Sequence, residues 1–312
     1  AQCHIDLPAL AQATGCRFKH TAINGMHPGS KLAFCNDGDT LEYDIASIDI
    51  GSTPATLDMS GAAHFGLKVK PTDHFLREWE SVLDRAAQGT LADGFRIAIA
   101  GGGAAGVEVL LAIQYRLERT GFVGARYAVV TESDEVLPGH PASVQTLFRR
   151  VMSERGVALH RNQRIVEATP DGLVSASGEH IRADLVIWAT GASPAGWPGA
   201  CGLAVDDRGF LRIGETLQVC GQADIFATGD IASMDGSPRP KSGVYAVRQG
   251  PPLADNLLRA LGGRPLLPYR PQRRALAQIT TGDQYAIASR GRLFAKGKWV
   301  WRWMDHIDRS FM

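Results

Sequence analysis

The chain has 312 residues, 45% hydrophobic and 21% charged, a globular composition that excludes disordered, collagen-like and coiled-coil classes and gives length for about two domains. Its 33 Lys and Arg against 32 Asp and Glu leave a formal charge of +1, and no basic block makes nucleic acid a partner. No apolar run reaches the ~18 residues of a membrane span, and AQCHIDLPAL has neither the basic flank nor the apolar core of a signal peptide, so a cytoplasmic protein is the default expectation. The five cysteines, at 3, 16, 35, 201 and 220, form no C-x-x-C pair, and the histidines form no ligand-spaced cluster. Neither a disulfide scaffold nor a metal site is expected. Glycine is in excess, 35 of 312 residues against a usual share near ~7%, which marks many places where backbone turns tightly or lies against a ligand.

In chain order, Gly15 followed by Cys16 to His20 reads as a helix end running into a strand. Residues 37 to 55, DGDTLEYDIASIDIGSTPA, read as a hairpin strand, an Asp, a buried strand and a closing Gly-x-Ser/Thr-Pro turn. The same pattern returns without gaps at 177 to 195, SGEHIRADLVIWATGASPA, with Gly38/Gly178, Asp44/Asp184, Gly51/Gly191, Pro54/Pro194 and Ala55/Ala195 identical. Internal duplication is the natural reading. Strand periodicity alone also generates partial matches, but the agreement extends upstream, where Gly156 precedes another helix-to-strand passage.

Between the copies lies the strongest local motif. Phe95 to Ala100 is a short apolar strand, Gly101-Gly-Gly-Ala-Ala-Gly106 is G-x-G-x-x-G, and Val107, Leu110, Leu111 and Leu117 have helical spacing. In such a unit the first glycine turns the chain, the second lets backbone approach a pyrophosphate and the third lets helix and strand pack closely, while the helix N-terminus faces the phosphates. Gly101, Gly103, Ala104 and Gly106 are therefore cofactor-binding candidates. Arg126 to Glu132 is a second strand at the right distance, and Thr131 and Glu132 at its end are candidates for the adenosine ribose. By the offset of the repeat, a matching fingerprint for the first copy falls about 40 residues before residue 1. The expectation is a first unit truncated on its N-terminal side, with weak or no retention of a dinucleotide there.

The nested units resemble the two-dinucleotide-binding-domain flavoproteins of the pyridine nucleotide-disulfide oxidoreductase superfamily. The match is carried by Gly101 to Gly106 with Glu108, by Trp188-Ala-Thr-Gly191, and by Thr216-Leu-Gln-Val-Cys-Gly-Gln-Ala-Asp-Ile-Phe-Ala-Thr-Gly-Asp230. The resemblance implies an α/β fold of two Rossmann-like three-layer domains, an NAD domain inserted in an FAD domain. The corresponding boundaries are 1–74 for the late first half of the FAD domain, 75–192 for the NAD(P) domain, 193–264 for the second FAD half and 265–312 for a C-terminal strand and tail region. It further implies FAD and NAD(H), favoured over NADP(H), as cofactors. Gly51, Thr190, Gly191, Gly229 and Asp230 are then cofactor contacts, with Asp230 toward a ribityl hydroxyl. Lys241, Val244 and Tyr245 open a helix pointing at the flavin.

Among subfamilies the chain looks most like type II NADH dehydrogenases, through Gln249 and Gly250, and like the dehydrogenase-like module fused ahead of selenide, water dikinase, through IDIGSTPA, KSGVYAVRQGP and WVWRWMDHIDRSFM. Departures are visible too. The slot that family members often fill with Glu at the end of the second nucleotide-unit strand holds Thr131, with Glu132 one place later.

The implied activity is an FAD-dependent NAD(P)H dehydrogenase passing hydride from nicotinamide to flavin and on to a quinone-like or other small-molecule acceptor, with Glu108 and Gln249 as catalytic candidates. Glu108 equally suits charge compensation at a helix N-terminus. Two alternatives stay open: a sulfide:quinone oxidoreductase-like enzyme, which needs cysteines at the flavin and has Cys201 and Cys220 to offer, and a non-catalytic nucleotide-binding module without flavin. The tail from Trp299 can rest on the inner face of a membrane, dock on a fused domain or cover the core; two-residue spacing of Trp299, Trp301 and Trp303 suits a sheet face.

Overall fold

The structure is a computed structural model describing residues 5–56, 59–273, 275–291 and 293–310; Cys3, His4, Phe311 and Met312 lie outside the described residues. The fold is α/β and divides into two compact units, one of Ala1–Ser52, Ser193–Ala275 and His306–Met312, the other of Thr53–Ala192 and Leu276–Asp305. The second unit thus starts at Thr53 and takes in part of the region after residue 265. The reason is local: the backbone of Thr280 and Thr281 is tied to side chains of that unit's helices.

The second unit is built on a five-stranded parallel sheet in the order Leu67–Lys68, Leu185–Trp188, Arg96–Ala100, Arg126–Val130, Val157–His160. Its central strands, RIAIA and LVIW, are continuous apolar runs because both faces are covered. Ile97 and Ile99 point into a core with helices Thr72–Ala87, Ala104–Glu118 and Ala142–Glu154, through Trp79, Leu110, Leu117 and Phe148. The alternate residues Ala98 and Ala100 face a three-stranded antiparallel sheet, Ile165–Thr169, Gly172–Ser175 and His180–Arg182, packing with Leu173 and Ile181. The period of two along one strand therefore separates large from small residues and makes three layers.

After residue 275 come the antiparallel strands Ala277–Thr280, Ala286–Arg290 and Leu293–Gly297, then a helix, Lys298–Ser310. The helix corrects the sheet-face reading of the tryptophans. Two positions advance about 200° on a helix, so Trp301 falls opposite Trp299 and Trp303. Val300, Trp301 and Met304 pack on Ala286 and Ala288, whereas Trp299 and Trp303 are 59% and 42% exposed.

The first unit contains a three-stranded antiparallel sheet, Ile23–His27, Leu32–Cys35 and Thr40–Glu42, and two parallel pairs, Ala46–Ile48 with Ile225–Ala227 and Leu211–Ile213 with Ala232–Met234. Helix Gly243–Leu261 packs Leu253 and Leu257 on its core. Pro251 and Pro252 lie inside this helix, where they remove donors to the carbonyls of Val247 and Arg248. Both of those residues are exposed to water.

The duplication read in the sequence is present in three dimensions. The antiparallel sheets starting at Ile23 and at Ile165 both have their strands in sequential order, and both break register in the first strand, between Ile23 and Gly25 and between Ile165 and Glu167.

Candidate functional site: the glycine turn and the Gly-Asp strand end

In the second unit, strand Arg96–Ala100 runs through the glycine turn into helix Ala104–Glu118, whose N-cap is Gly103. Each glycine has a distinct geometric reason. Gly101 has φ +129°, and a Cβ there would lie 2.1 Å from the Ala189 carbonyl oxygen; one on Gly106 would lie 2.0 Å from the Gly101 carbonyl oxygen. These two glycines let strand, turn and helix approach. Gly103 differs: nothing lies within 4 Å of the place a Cβ would take. It is the open face of the turn, beside the first N–H groups of the helix, which have no intrahelical acceptor. A cradle closed on two sides and open on the third, at the positive end of a helix, fits a dinucleotide pyrophosphate.

Loop 131–137 flanks this turn. Thr131 is buried, and a Cβ on Gly102 would come within 2.8 Å of its Oγ1. The Leu137 N–H donates to the Gly102 carbonyl at 2.7 Å, while Glu132 is exposed. Thr190 Oγ1 donates to the Ala55 carbonyl at 2.7 Å, and the Ala55 N–H to the Gly191 carbonyl at 2.7 Å, so these two residues close the strand end against residue 55. Trp188 just before them is fully buried and donates its indole N–H to the Phe65 carbonyl at 2.9 Å. Glu108 Oε1 accepts from the Thr280 N–H at 2.8 Å. Sequence reasoning had no signal for that partner, which is 172 residues away.

In the first unit, Gly229 and Asp230 end strand Ile225–Ala227. Gly229 has φ +71°, the left-handed region that favours glycine, and its N–H donates to Gln249 Oε1 at 2.7 Å. The Asp230 carboxylate accepts from Ser52 Oγ at 3.1 Å, next to Gly51, which also has φ +71° and open space at its Cβ position. Thr228 Oγ1 donates to Asp49. Asp49 was legible only as the acid that replaces Ala189 in the repeat.

Helix Gly243–Leu261 starts at Ser242, whose side chain makes no capping bond while its carbonyl accepts from the Tyr245 and Ala246 N–H groups at 3.0 and 3.3 Å. Gly229, Asp230, Lys241, Tyr245, Gln249 and Tyr269 line one recess there. Val244 is half-buried in the same first turn. Lys241 is folded inward, its Nζ 4.0 Å from the centre of the Phe210 ring and 2.6 Å from the Ala232 carbonyl oxygen, and burial lowers its pKa. The uncapped helix start, Gly51, and the Gly229–Asp230 strand end are donor and acceptor groups that fit the ribityl and ring part of a flavin.

The described cysteines 16, 35, 201 and 220 are free thiols. Cys201 Sγ accepts from the Met26 N–H at 3.1 Å. Cys220 lies 3.5 Å from Asp235, and burial, then that carboxylate, push its thiol upward. Among the described residues no three His, Cys, Asp or Glu side chains gather to hold a metal.

Known proteins share this fold. The chain is 27% identical over 287 residues to demethylphylloquinone reductase NdbB of Synechocystis, a match covering 88% of this chain and 69% of that protein. Its fold is shared by the sulfide:quinone oxidoreductase of Aquifex aeolicus, with TM-score 0.77, 16% identity and coverage of 96% of this chain and 75% of that one. It is also shared by NDH2 from Plasmodium falciparum in complex with NADH, with TM-score 0.76, 14% identity and coverage of 94% and 83%. The pattern of the pyridine nucleotide-disulphide oxidoreductases matches residues 13–250, from ahead of the first antiparallel sheet to the helix that carries Gln249. The chain belongs to that family, whose cofactors are FAD and NAD(P)H.

Proposed function

We propose that the protein carrying this chain is an FAD-dependent NAD(P)H dehydrogenase that delivers electrons to a quinone-like acceptor. The observation that carries this reading is the glycine turn with its open face at Gly103, on the helix start of a family member. The quinone is supported by the name of the Synechocystis relative and the nicotinamide by the NADH complex with the same fold.

On this reading Gly101, Gly103, Ala104 and Gly106 hold the pyrophosphate of the dinucleotide, with Thr131, Thr190 and Gly191 on the neighbouring strand ends. Gly51, Gly229 and Asp230 take the flavin's polar chain, and the start of the Gly243–Leu261 helix, with Val244 and Tyr245 in its first turn, lies toward the ring. FAD, when bound, supplies the two-electron chemistry between nicotinamide and acceptor. Glu108 and Gln249 act here as positioning residues: one carboxylate oxygen of Glu108 accepts from the Thr280 N–H and the Gln249 amide oxygen accepts from the Gly229 N–H. Lys241, tied to Phe210 and Ala232, shapes the recess.

The sulfide:quinone alternative has less support, because Cys201 and Cys220 have separate partners and Cys220 is shifted away from the thiolate. Among the described residues no helix is long and apolar enough to cross a membrane. Trp299 and Trp303, with Leu293 and Phe294 exposed on the preceding strand and the exposed Lys296, Lys298 and Arg302 close in sequence, support contact with a membrane surface.

The test is NADH oxidation by the FAD-loaded protein with a soluble quinone. Turnover that Gly106→Ala abolishes is expected; bound FAD without oxidation of NADH or NADPH by any quinone overturns the proposal.

A further inference from the structure

Resting on the reading that Gly51, Gly229 and Asp230 take the polar chain of a flavin, we propose that Asp49 is a positioning residue for that chain: through Thr228 it fixes the Gly229–Asp230 turn and, with it, the direction in which the Asp230 carboxylate is presented.

The two copies of the repeat set their polar side chain one residue apart. In the second copy Ala189 is followed by Thr190, whose Oγ1 donates to the Ala55 carbonyl; in the first copy the same two places hold Asp49 and an exposed Ile50. A step of one residue along extended backbone turns a side chain to the opposite side. The second copy therefore ties its strand end to the closing turn, whereas the first ties its strand end to the neighbouring strand, the one that leads into Gly229 and Asp230.

Strands Ala46–Ile48 and Ile225–Ala227 run parallel with Ile48 beside Ala227. Asp49 and Thr228 therefore meet just past the carboxyl ends, where parallel sheets bind their ligands. Thr228 is 5% exposed and is held twice, its N–H donating to the Ile48 carbonyl at 3.3 Å and its Oγ1 to Asp49 Oδ1. The second Asp49 oxygen, Oδ2, accepts from Ser47 Oγ at 2.8 Å. That bond keeps the carboxylate, itself exposed, turned toward Thr228.

Three consecutive residues are thus held by three separate side chains: Thr228 by Asp49, the Gly229 N–H by Gln249 Oε1 at 2.7 Å, and the Asp230 carboxylate by Ser52 Oγ at 3.1 Å. Thr228 is extended, with φ −143° and ψ 177°, and Gly229 turns to φ +71°. The direction of Asp230 then follows from where Thr228 sits. Because Thr228 is buried, water replaces poorly the charge-assisted hydrogen bond that its hydroxyl makes to Asp49.

The test is titration of the full chain with FAD, followed by flavin fluorescence, with NADH titrated in parallel as a control on the second unit. Asp49→Ala is expected to weaken FAD about tenfold, the loss of one charge-assisted hydrogen bond, and to leave NADH unchanged. D49N, which keeps an oxygen acceptor for Thr228, is expected to stay within about threefold of the wild type. T228V, which deletes the hydroxyl at nearly constant volume, is expected to weaken FAD as much as D49A does, and the double variant no further. Since Asp49 acts through Asp230, D49A in a D230N background is expected to change FAD affinity by less than about twofold. T228V or D49A that binds FAD as the wild type does overturns the proposal. So does D49N as weak as D49A, or a double variant whose loss is the product of the two single losses. If D49A does not fold, T228V and D49N decide by the same criteria. If the wild-type chain takes up no FAD, the flavin reading itself falls and takes this proposal with it.

Discussion

The two copies of the duplicated segment share a backbone and differ in what their side chains hold. In the second copy Asp184 accepts from the Arg96 N–H at 2.8 Å and pairs with its guanidinium at 3.0 Å, Trp188 fills the core, and Thr190 ties the closing turn. In the first copy the equivalent Asp44 offers its backbone carbonyl to Lys31, Ile48 takes the place of Trp188, and Ile50, in the place of Thr190, is 49% exposed. Asp49 instead engages Thr228. Across the two copies, residues that set the backbone path, such as Gly51 and Gly191, are kept, while side chains that hold neighbours diverge.

That contrast can be broken by substitution. The largest effect is expected at the glycine turn. Gly106→Ala brings a Cβ to 2.0 Å from a backbone oxygen and is expected to cost more than about 3 kcal/mol along with dinucleotide binding. Gly51→Ala meets open space and only a backbone penalty of about 1 kcal/mol. Urea unfolding of both variants checks the difference. Next, Trp188→Phe leaves the Phe65 carbonyl without its donor and opens a cavity, for about 2–4 kcal/mol, whereas Ile48→Val in the first copy costs about 1 kcal/mol. If the two losses are equal, the copies are held together alike and the comparison fails.

The smallest effect depends on pH. Arg96 beside Asp184 holds that carboxyl below the usual carboxylate range. Its folded pKa is therefore lower than its unfolded one, so its stabilisation is present above the ordinary Asp pKa and is lost as pH falls through the folded value. Asp184→Asn is expected to cost about 0.5–1 kcal/mol at neutral pH, since the pair is partly exposed, and nothing in strong acid. Asp44→Asn is expected to stay within about 0.5 kcal/mol at either pH. Thermal melts at neutral and acid pH distinguish the two.

Much of this was legible in the sequence, for identifiable reasons. Strand, glycine turn and helix are local events, fixed by apolar runs and by glycines of which Gly101 and Gly106 leave no room for a Cβ, so the turn from Gly101 to Gly106 is legible in the sequence. The repeat was legible because Asp, Gly and Pro recur at strand ends where few other residues serve. What was hidden is long-range. Nothing near Glu108 or Gln249 shows that one caps Thr280 and the other Gly229, because those partners are set by packing of distant segments. The tail misled because Trp at alternate positions is compatible with either period; Val300 and Met304, four residues apart, pack on one cluster, as on one side of a helix.

On the proposed function, this fold carries electrons from a nicotinamide to a flavin. Its most direct test is anaerobic titration of the FAD-loaded protein with NADH, followed by flavin absorbance. Bleaching with one equivalent of NADH per flavin, and no bleaching in Gly106→Ala, is the expected result. An oxidised flavin spectrum that persists in excess NADH and in excess NADPH rules out that electron path.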